Sequence, residues 1–326
     1  MASLLHVGGG AKIYQSDGCG TILKIDDFGS VTVLTGSSEI GQGSETVIAQ
    51  ITAETLGVPL ETIRIRNNDT ELMPWDVGVH ASRTTFIAGN SALRAAQKAR
   101  DKLLTAAAEQ LKRPVDELDI YGGNVVDRAN DEPIVELAKV VRRLHFSEKN
   151  DVVITSDYYE PPSVMQDQHF KGNVSPTYAF GTHVVEVEVD TWTGVVRPIH
   201  VSAAHDIGRV INQMGVEGQV QGGIAMGLGY CLSEELKVVE GRVTNPSFLD
   251  YRLMTATEMP EIEMHFIETR DPEGPFGAKG IGEAPAICLS PAVTNAVYDA
   301  IGIRFHELPL SPERVLSAIG EHRNPA

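Results

Sequence analysis

Cysteine is scarce: Cys19, Cys231 and Cys288 are the only three in 326 residues, and they lie far apart. With no Cys-x-x-Cys pair, neither a zinc knuckle nor an iron–sulfur cluster can be built from this chain alone. An odd count also argues against a disulfide framework, so a reducing, cytoplasmic setting is expected. Basic residues are in short supply as well. There are 27 Lys and Arg against 44 Asp and Glu, a net charge of −17, which argues against a sequence-independent nucleic-acid binder. No apolar run reaches the roughly 18 residues of a membrane span. Residues 1–6 lack the basic flank and long apolar stretch of a secretion signal. His80, His183 and His205 share no metal-ligand spacing, so no metal ligand is expected from protein side chains. There is no Gly-x-Ser-x-Gly elbow.

What is present is ample chain for a core, with 42% hydrophobic and 22% charged residues. Alternation over residues 21–35, broken at Asp26-Asp27-Phe28-Gly29, predicts a hairpin. Residues 44–56, stopped by Gly57 and Pro59, read as a helix, and 63–66 as a short strand. A long helix is expected from Ala88 to about Leu111, ended by Pro114. A small strand–loop–helix insert is expected near 117–150. Residues 178–189 and 195–204 alternate as paired strands. Residues 210–236 read as a helix rich in glycine, and 236–270 as a further hairpin or strand set. Helices are expected at about 291–301 and 312–320. Hairpins and separate helices mix without strict βαβ alternation, so the fold class is α+β. Two lobes are expected, about 1–175 and about 176–326.

Glycine marks the candidate site. Gly277-Ala278-Lys279-Gly280-Ile281-Gly282-Glu283-Ala284-Pro285 places one carboxylate at the end of a loop whose glycines permit close approach to a ligand. A surface turn leading into a helix N-terminus would also accept Glu there. Gly41-Gln42-Gly43 joins a strand to a helix start, where backbone N–H groups suit an anion. It is neither a P-loop nor the six-residue dinucleotide fingerprint. Ser82-Arg83-Thr84 precedes the long helix; it can ring an anion or cap the helix. Residues 215–229 carry many glycines, each costing about 1 kcal/mol inside a helix, so close approach of another helix or a flat ligand is expected.

Taken in order, Gly41-Gln42-Gly43, Ser82-Arg83-Thr84, Asp206-Ile207-Gly208 with Asn212 leading into Glu217-Gly218-Gln219, and Gly280-Ile281-Gly282-Glu283-Ala284-Pro285 resemble one family. It is the molybdenum hydroxylases, the xanthine dehydrogenase/aldehyde oxidase group, and the match is to the C-terminal half of their molybdopterin-binding subunit. The resemblance implies that Gly41, Gln42, Gly43, Ser82, Arg83, Thr84, Gly280 and Gly282 serve cofactor binding. It implies that Glu283 is the catalytic base of a hydroxylation that uses water-derived oxygen. The cofactor implied is molybdopterin dinucleotide, in its cytosine form, with molybdenum. One position departs from the pattern: Met226 falls where xanthine-type members often carry Gln. Tyr14, in a glycine-rich segment, is a candidate for the substrate pocket or a core aromatic.

A complete subunit of this family is about twice as long. The resemblance therefore implies a large molybdopterin subunit supplying the other half of the site, with Fe-S clusters and FAD on further subunits. Length and starting point resemble the medium chain of nicotinate dehydrogenases, which divide this subunit in two. Residues 245–252 and 271–280 also resemble 4-hydroxybenzoyl-CoA reductases. An N-heteroaromatic substrate such as nicotinate is expected. The alternatives are purine or aldehyde oxidation, an aryl-CoA reductase, a non-catalytic scaffold half-subunit, or a truncated reading frame.

Overall fold

The computed structural model describes residues 1–147 and 151–323, so residues 148–150 of the expected insert and the last three residues of the chain lie outside it. The chain forms two compact units. Residues 7–178 and 270–280 make the N-terminal unit; residues 1–6, 179–269 and 281–326 make the C-terminal unit. A single cut near residue 175 does not describe this division, because one segment from each side belongs to the other unit. Strand β1 (Ala2–Val7) accordingly lies in a sheet with strands from late in the sequence.

In the N-terminal unit, β2 (Cys19–Ile25) and β3 (Val31–Thr35) form the expected antiparallel hairpin. Alternation sends Leu23, Ile25, Val31 and Val33 to one face, where all are buried. Asp26 Oδ1 shapes the turn by accepting from the N–H groups of Phe28 and Ser30. Helix α1 (Ser44–Leu56) follows and stops at Gly57, whose φ of 75° suits a left-handed C-cap. β4 (Ile63–Arg66) then pairs parallel to β3.

Helix α2 (Thr84–Leu111) starts four residues before the expected Ala88. Its buried Ala88, Ala92, Ala95, Ala96 and Ala99 add little side-chain bulk, which lets the helix lie close against its neighbours. Strands β5 (Leu118–Tyr121), β6 (Asn124–Asp127) and β7 (Pro133–Glu136) make a small antiparallel sheet. Helix α3 (Leu137–His145) turns Leu137, Val140, Val141 and Leu144 into the core. β8 (Val153–Tyr159) completes a four-stranded sheet of order β4-β3-β2-β8.

In the C-terminal unit, β9 (Tyr178–Val189) pairs antiparallel with β10 (Val196–Asp206). Helix α4 (Gln213–Leu232) begins at Asn212, whose side chain accepts from the Gly215 N–H. The expected strand set at 236–270 is mostly irregular. It holds the two-residue pair β11 (Val238–Val239) and β12 (Arg242–Val243), and then β13 (Glu261–Ile267). β13 pairs parallel to β10 rather than forming a hairpin, giving the order β1-β9-β10-β13. Helices α5 (Ala284–Ile287), α6 (Leu289–Ile301) and α7 (Pro312–Arg323) follow. Val185, Val201 and Ala203 of the sheet share a core with Val220, Ile224 and Leu228 of α4, Leu289 and Val293 of α6, and Val315 of α7. The architecture is α+β.

Candidate cofactor and catalytic site

The turn before α1 is built on backbone that only glycine adopts readily: φ is 102° at Gly41 and 84° at Gly43. Neither glycine has an atom within 4 Å of the place where a Cβ would sit, so both present open backbone. The N–H groups expected to wait for an external anion are already engaged. Glu39 folds back over the turn and its carboxylate accepts from the N–H groups of Gly41, Gly43 and Glu45 and from Ser44 Oγ. Burial raises the Glu39 pKa, but these hydrogen bonds outweigh it and hold the group below its ordinary value. The sequence reading missed Glu39; a carboxylate just ahead of a Gly-x-Gly-Ser helix start was the available signal. Gln42 Oε1 accepts from the Ile40 N–H, and Nε2 donates to Ser38 O. A primary amide carries two N–H groups and two lone pairs, so this pattern leaves capacity for a ligand.

Arg83 departs furthest from expectation. It is 1% exposed, and all five of its N–H donors go to protein acceptors. Nε donates to Asp17 Oδ1, one terminal nitrogen to Asp76 Oδ2 and Gly78 O, and the other to Asp17 O and Gly18 O. No donor remains for a phosphate, so Arg83 organises the protein around it instead of gripping a cofactor. Burial pushes the Asp17 carboxyl above its ordinary value, against the pull of Arg83. Before Arg83, Ala81 and Ser82 take left-handed φ values of 48° and 51°. Thr84 is the first residue of α2, and no side chain caps the helix.

Ser82 and Gly280 are brought together within the N-terminal unit. A Cβ on Gly280 would fall 1.6 Å from Ser82 O, closer than any side chain permits. The Gly280 N–H donates to Gly8 O at 2.6 Å. The preceding Lys279 is buried and donates to Tyr178 O. Tyr14 is exposed, which removes the core-aromatic reading. It sits between Lys12 and Ser16, both of which donate to the Glu160 carboxylate.

Glu283 belongs to the C-terminal unit, one residue beyond the exposed Gly282 and directly before α5. Its side chain is 53% exposed, and its Oε2 lies 3.0 Å from His6 Nε2. His6 was not singled out from sequence. Pro285 sits in the first turn of α5, where its missing N–H costs nothing. Behind it, α4 needs glycine: a Cβ on Gly223 would come 2.6 Å from Pro285 Cβ, and one on Gly227 would come 2.9 Å from Leu289. Close helix approach therefore accounts for these two. Gly218 and Gly222, on the same helix, face open space. With Met214, Met226 and Tyr230 they form an exposed stripe at spacing four.

Two more histidines are buried in this unit. His183 Nε2 and His205 Nε2 lie 2.8 Å apart. Burial pushes both imidazoles down to about 4, and for His183 the neighbouring His205 adds to the effect.

The molybdopterin cofactor-binding domain matches residues 2–260. The chain is 35% identical over 312 residues to the 6-hydroxypseudooxynicotine dehydrogenase complex subunit gamma of Paenarthrobacter nicotinovorans, covering 94% of this chain and 38% of that protein. It is 33% identical over 303 residues to the xanthine dehydrogenase molybdenum-binding subunit of Escherichia coli O157:H7, covering 91% and 38%. The crystal structure of quinoline 2-oxidoreductase from Pseudomonas putida 86 superposes with a TM-score of 0.88 at 28% identity, covering 98% of this chain and 42% of that one. The chain thus spans well under half the length of these proteins. With most of its length matched by that domain, the chain belongs to the molybdenum hydroxylase family and carries its molybdopterin cofactor-binding domain.

Proposed function

We propose that this chain supplies part of the catalytic subunit of a multi-subunit molybdenum hydroxylase, with Glu283 as its base. The His6–Glu283 pair carries the reading. A carboxylate intended to take a proton must be held in one orientation, and the 3.0 Å contact from His6 Nε2 to Oε2 does that.

The residues fit a molybdopterin group. Open backbone at Gly41 and Gly43 admits a flat ligand, and the Gln42 amide keeps hydrogen-bonding capacity beside it. Gly218 and Gly222 offer a second side-chain-free surface in their own unit. Gly41, Gln42 and Gly43, with Ser82, Thr84 and Gly280, are the residues of the N-terminal unit assigned to hold it; the cytosine dinucleotide form belongs to this proposal. When bound, the group supplies the oxidising centre and the water-derived oxygen. Glu283 would accept a proton at its carboxylate in that chemistry, and His6 would keep the carboxylate aimed. General-base help of this kind is typically worth about 10²–10⁴-fold.

The substrate class proposed is an N-heteroaromatic compound, with nicotinate first. Quinoline, xanthine and 6-hydroxypseudooxynicotine, in the names of the three similar proteins, all contain a nitrogen heteroaromatic ring. Tyr14, exposed and held between two residues anchored on Glu160, is proposed as a substrate contact. Because the chain covers 38% of its relatives, the remainder of the molybdopterin subunit is required, together with Fe-S and FAD components. The test is turnover of nicotinate, a purine and an aldehyde by the molybdenum-loaded complex. Turnover of nicotinate above the others supports the reading; oxidation of the aldehyde alone overturns the substrate class.

A further inference from the structure

The sheet of the C-terminal unit is covered on one face only. Leu4, Ala179, Val185, Val201 and Ala203 are buried on the helix side. The other face can be followed row by row from the strand registers. Ser3 Oγ lies 3.0 Å from Thr182 Oγ1, which fixes β1 against β9 on that face. Thr182 is opposite Ala204, and Ala204 is opposite His265. The next row is Val184, Ser202 and Glu263; the row beyond is Glu186, His200 and Glu261. Two residues from Ser3 and Thr182, in the opposite direction, stand Leu5 and Phe180, with Ile267 at the same end.

This face is graded. Leu5, Phe180, Val184 and Ile267 are 59%, 54%, 44% and 50% exposed. Glu186 and Glu261 line the far end, with Glu263 one row nearer and 3.3 Å from His265 Nε2. Scattered exposed apolar residues are ordinary, but four on one ordered sheet face mark an interaction surface. A four-stranded sheet buried on one side needs no apolar residues on the other, where polar side chains would serve.

We propose that this face docks the remainder of the molybdopterin subunit, through a surface apolar at one end and bearing Lys or Arg at the other. The proposal rests on the divided-subunit reading above. The size of what is missing points to that occupant: the matched relatives extend well over twice the length covered here. The acidic end supplies the charge preference, because basic residues of the partner at that end would meet Glu186 and Glu261.

Hydroxyl-radical footprinting tests it, on this chain alone and in complex with the polypeptide carrying the rest of the subunit. Phe180 and Leu5 should be oxidised at least fivefold less in the complex, with Trp192, 90% exposed, as the internal reference. Phe180→Glu and Val184→Glu, each checked for native circular dichroism, should weaken assembly at least tenfold. Equal labelling of Phe180 in the free chain and in an intact complex would overturn this surface and leave the divided-subunit reading standing. If the two folded polypeptides do not associate at all, both fall.

Discussion

His6 Nε2 lies 3.0 Å from Glu283 Oε2, joining a residue of the first strand to a carboxylate near the end of the chain. The contact places a hydrogen-bond donor beside the proposed base. Removing it leaves the carboxylate in place but less constrained. His6→Ala should therefore lower kcat of the loaded complex about tenfold with little change in KM, as expected for lost orientation. His6→Gln, which keeps an N–H donor, should restore most of the loss. A KM effect without a kcat effect in steady-state kinetics would argue that His6 serves binding instead.

Arg83 makes a second prediction, about stability. Its guanidinium is buried with Asp17 and Asp76, both 2% exposed, and every donor is used. Removing one partner of such a network strands buried charge, at about 3–5 kcal/mol. Arg83→Ala should lose that much in urea unfolding. Arg83→Lys should recover only part, because an ammonium has three donors where five are needed.

The His183–His205 pair makes stability depend on pH. Folded, both imidazoles are held near 4 against an ordinary 6.5. As pH falls below 6.5 the unfolded chain takes up protons that the folded pair refuses. Their contribution is complete above about pH 6.5 and is lost progressively down to about pH 4. Between pH 7 and 5 the first imidazole should account for about 2 kcal/mol. Urea midpoints measured across this range, for the native chain and for a His183→Leu/His205→Leu variant, check it; the variant should show a shallower dependence.

Gly218 and Gly222 separate folding from assembly. Their Cβ positions are open, so Ala at either should stabilise the isolated chain by up to about 1 kcal/mol through helix propensity. The same substitutions should reduce molybdenum content or complex formation, because the added methyl stands on the surface assigned to close approach. Thermal melts of the isolated chain and metal analysis of the complex give the two readouts. Gly223→Ala is the contrast: it meets Pro285 at 2.6 Å and should destabilise the chain itself.

These cases show where sequence pattern ended. The β2–β3 hairpin and α1 were legible because alternation and Gly57 are local signals. Helix α2 began earlier than expected, at Thr84, with no side-chain cap to mark its start. The glycines at 223 and 227 were legible as close approach, though not which neighbours came close. A strand within 236–270 was legible, but not the pairing of β13, because its partner β10 is distant in sequence and parallel. The Arg83 network, the Glu39 fold-back and the His6 contact depend on pairings that no spacing announces. The resemblance could point to Glu283, but only the fold brings His6 to it.

Glu283→Gln in the molybdenum-loaded complex tests the central claim most directly. The substitution keeps size and hydrogen bonding but removes the base. Turnover of the N-heteroaromatic substrate should fall by at least about 100-fold, with molybdenum and pterin content unchanged. Full turnover by Glu283→Gln with intact cofactor would contradict the account.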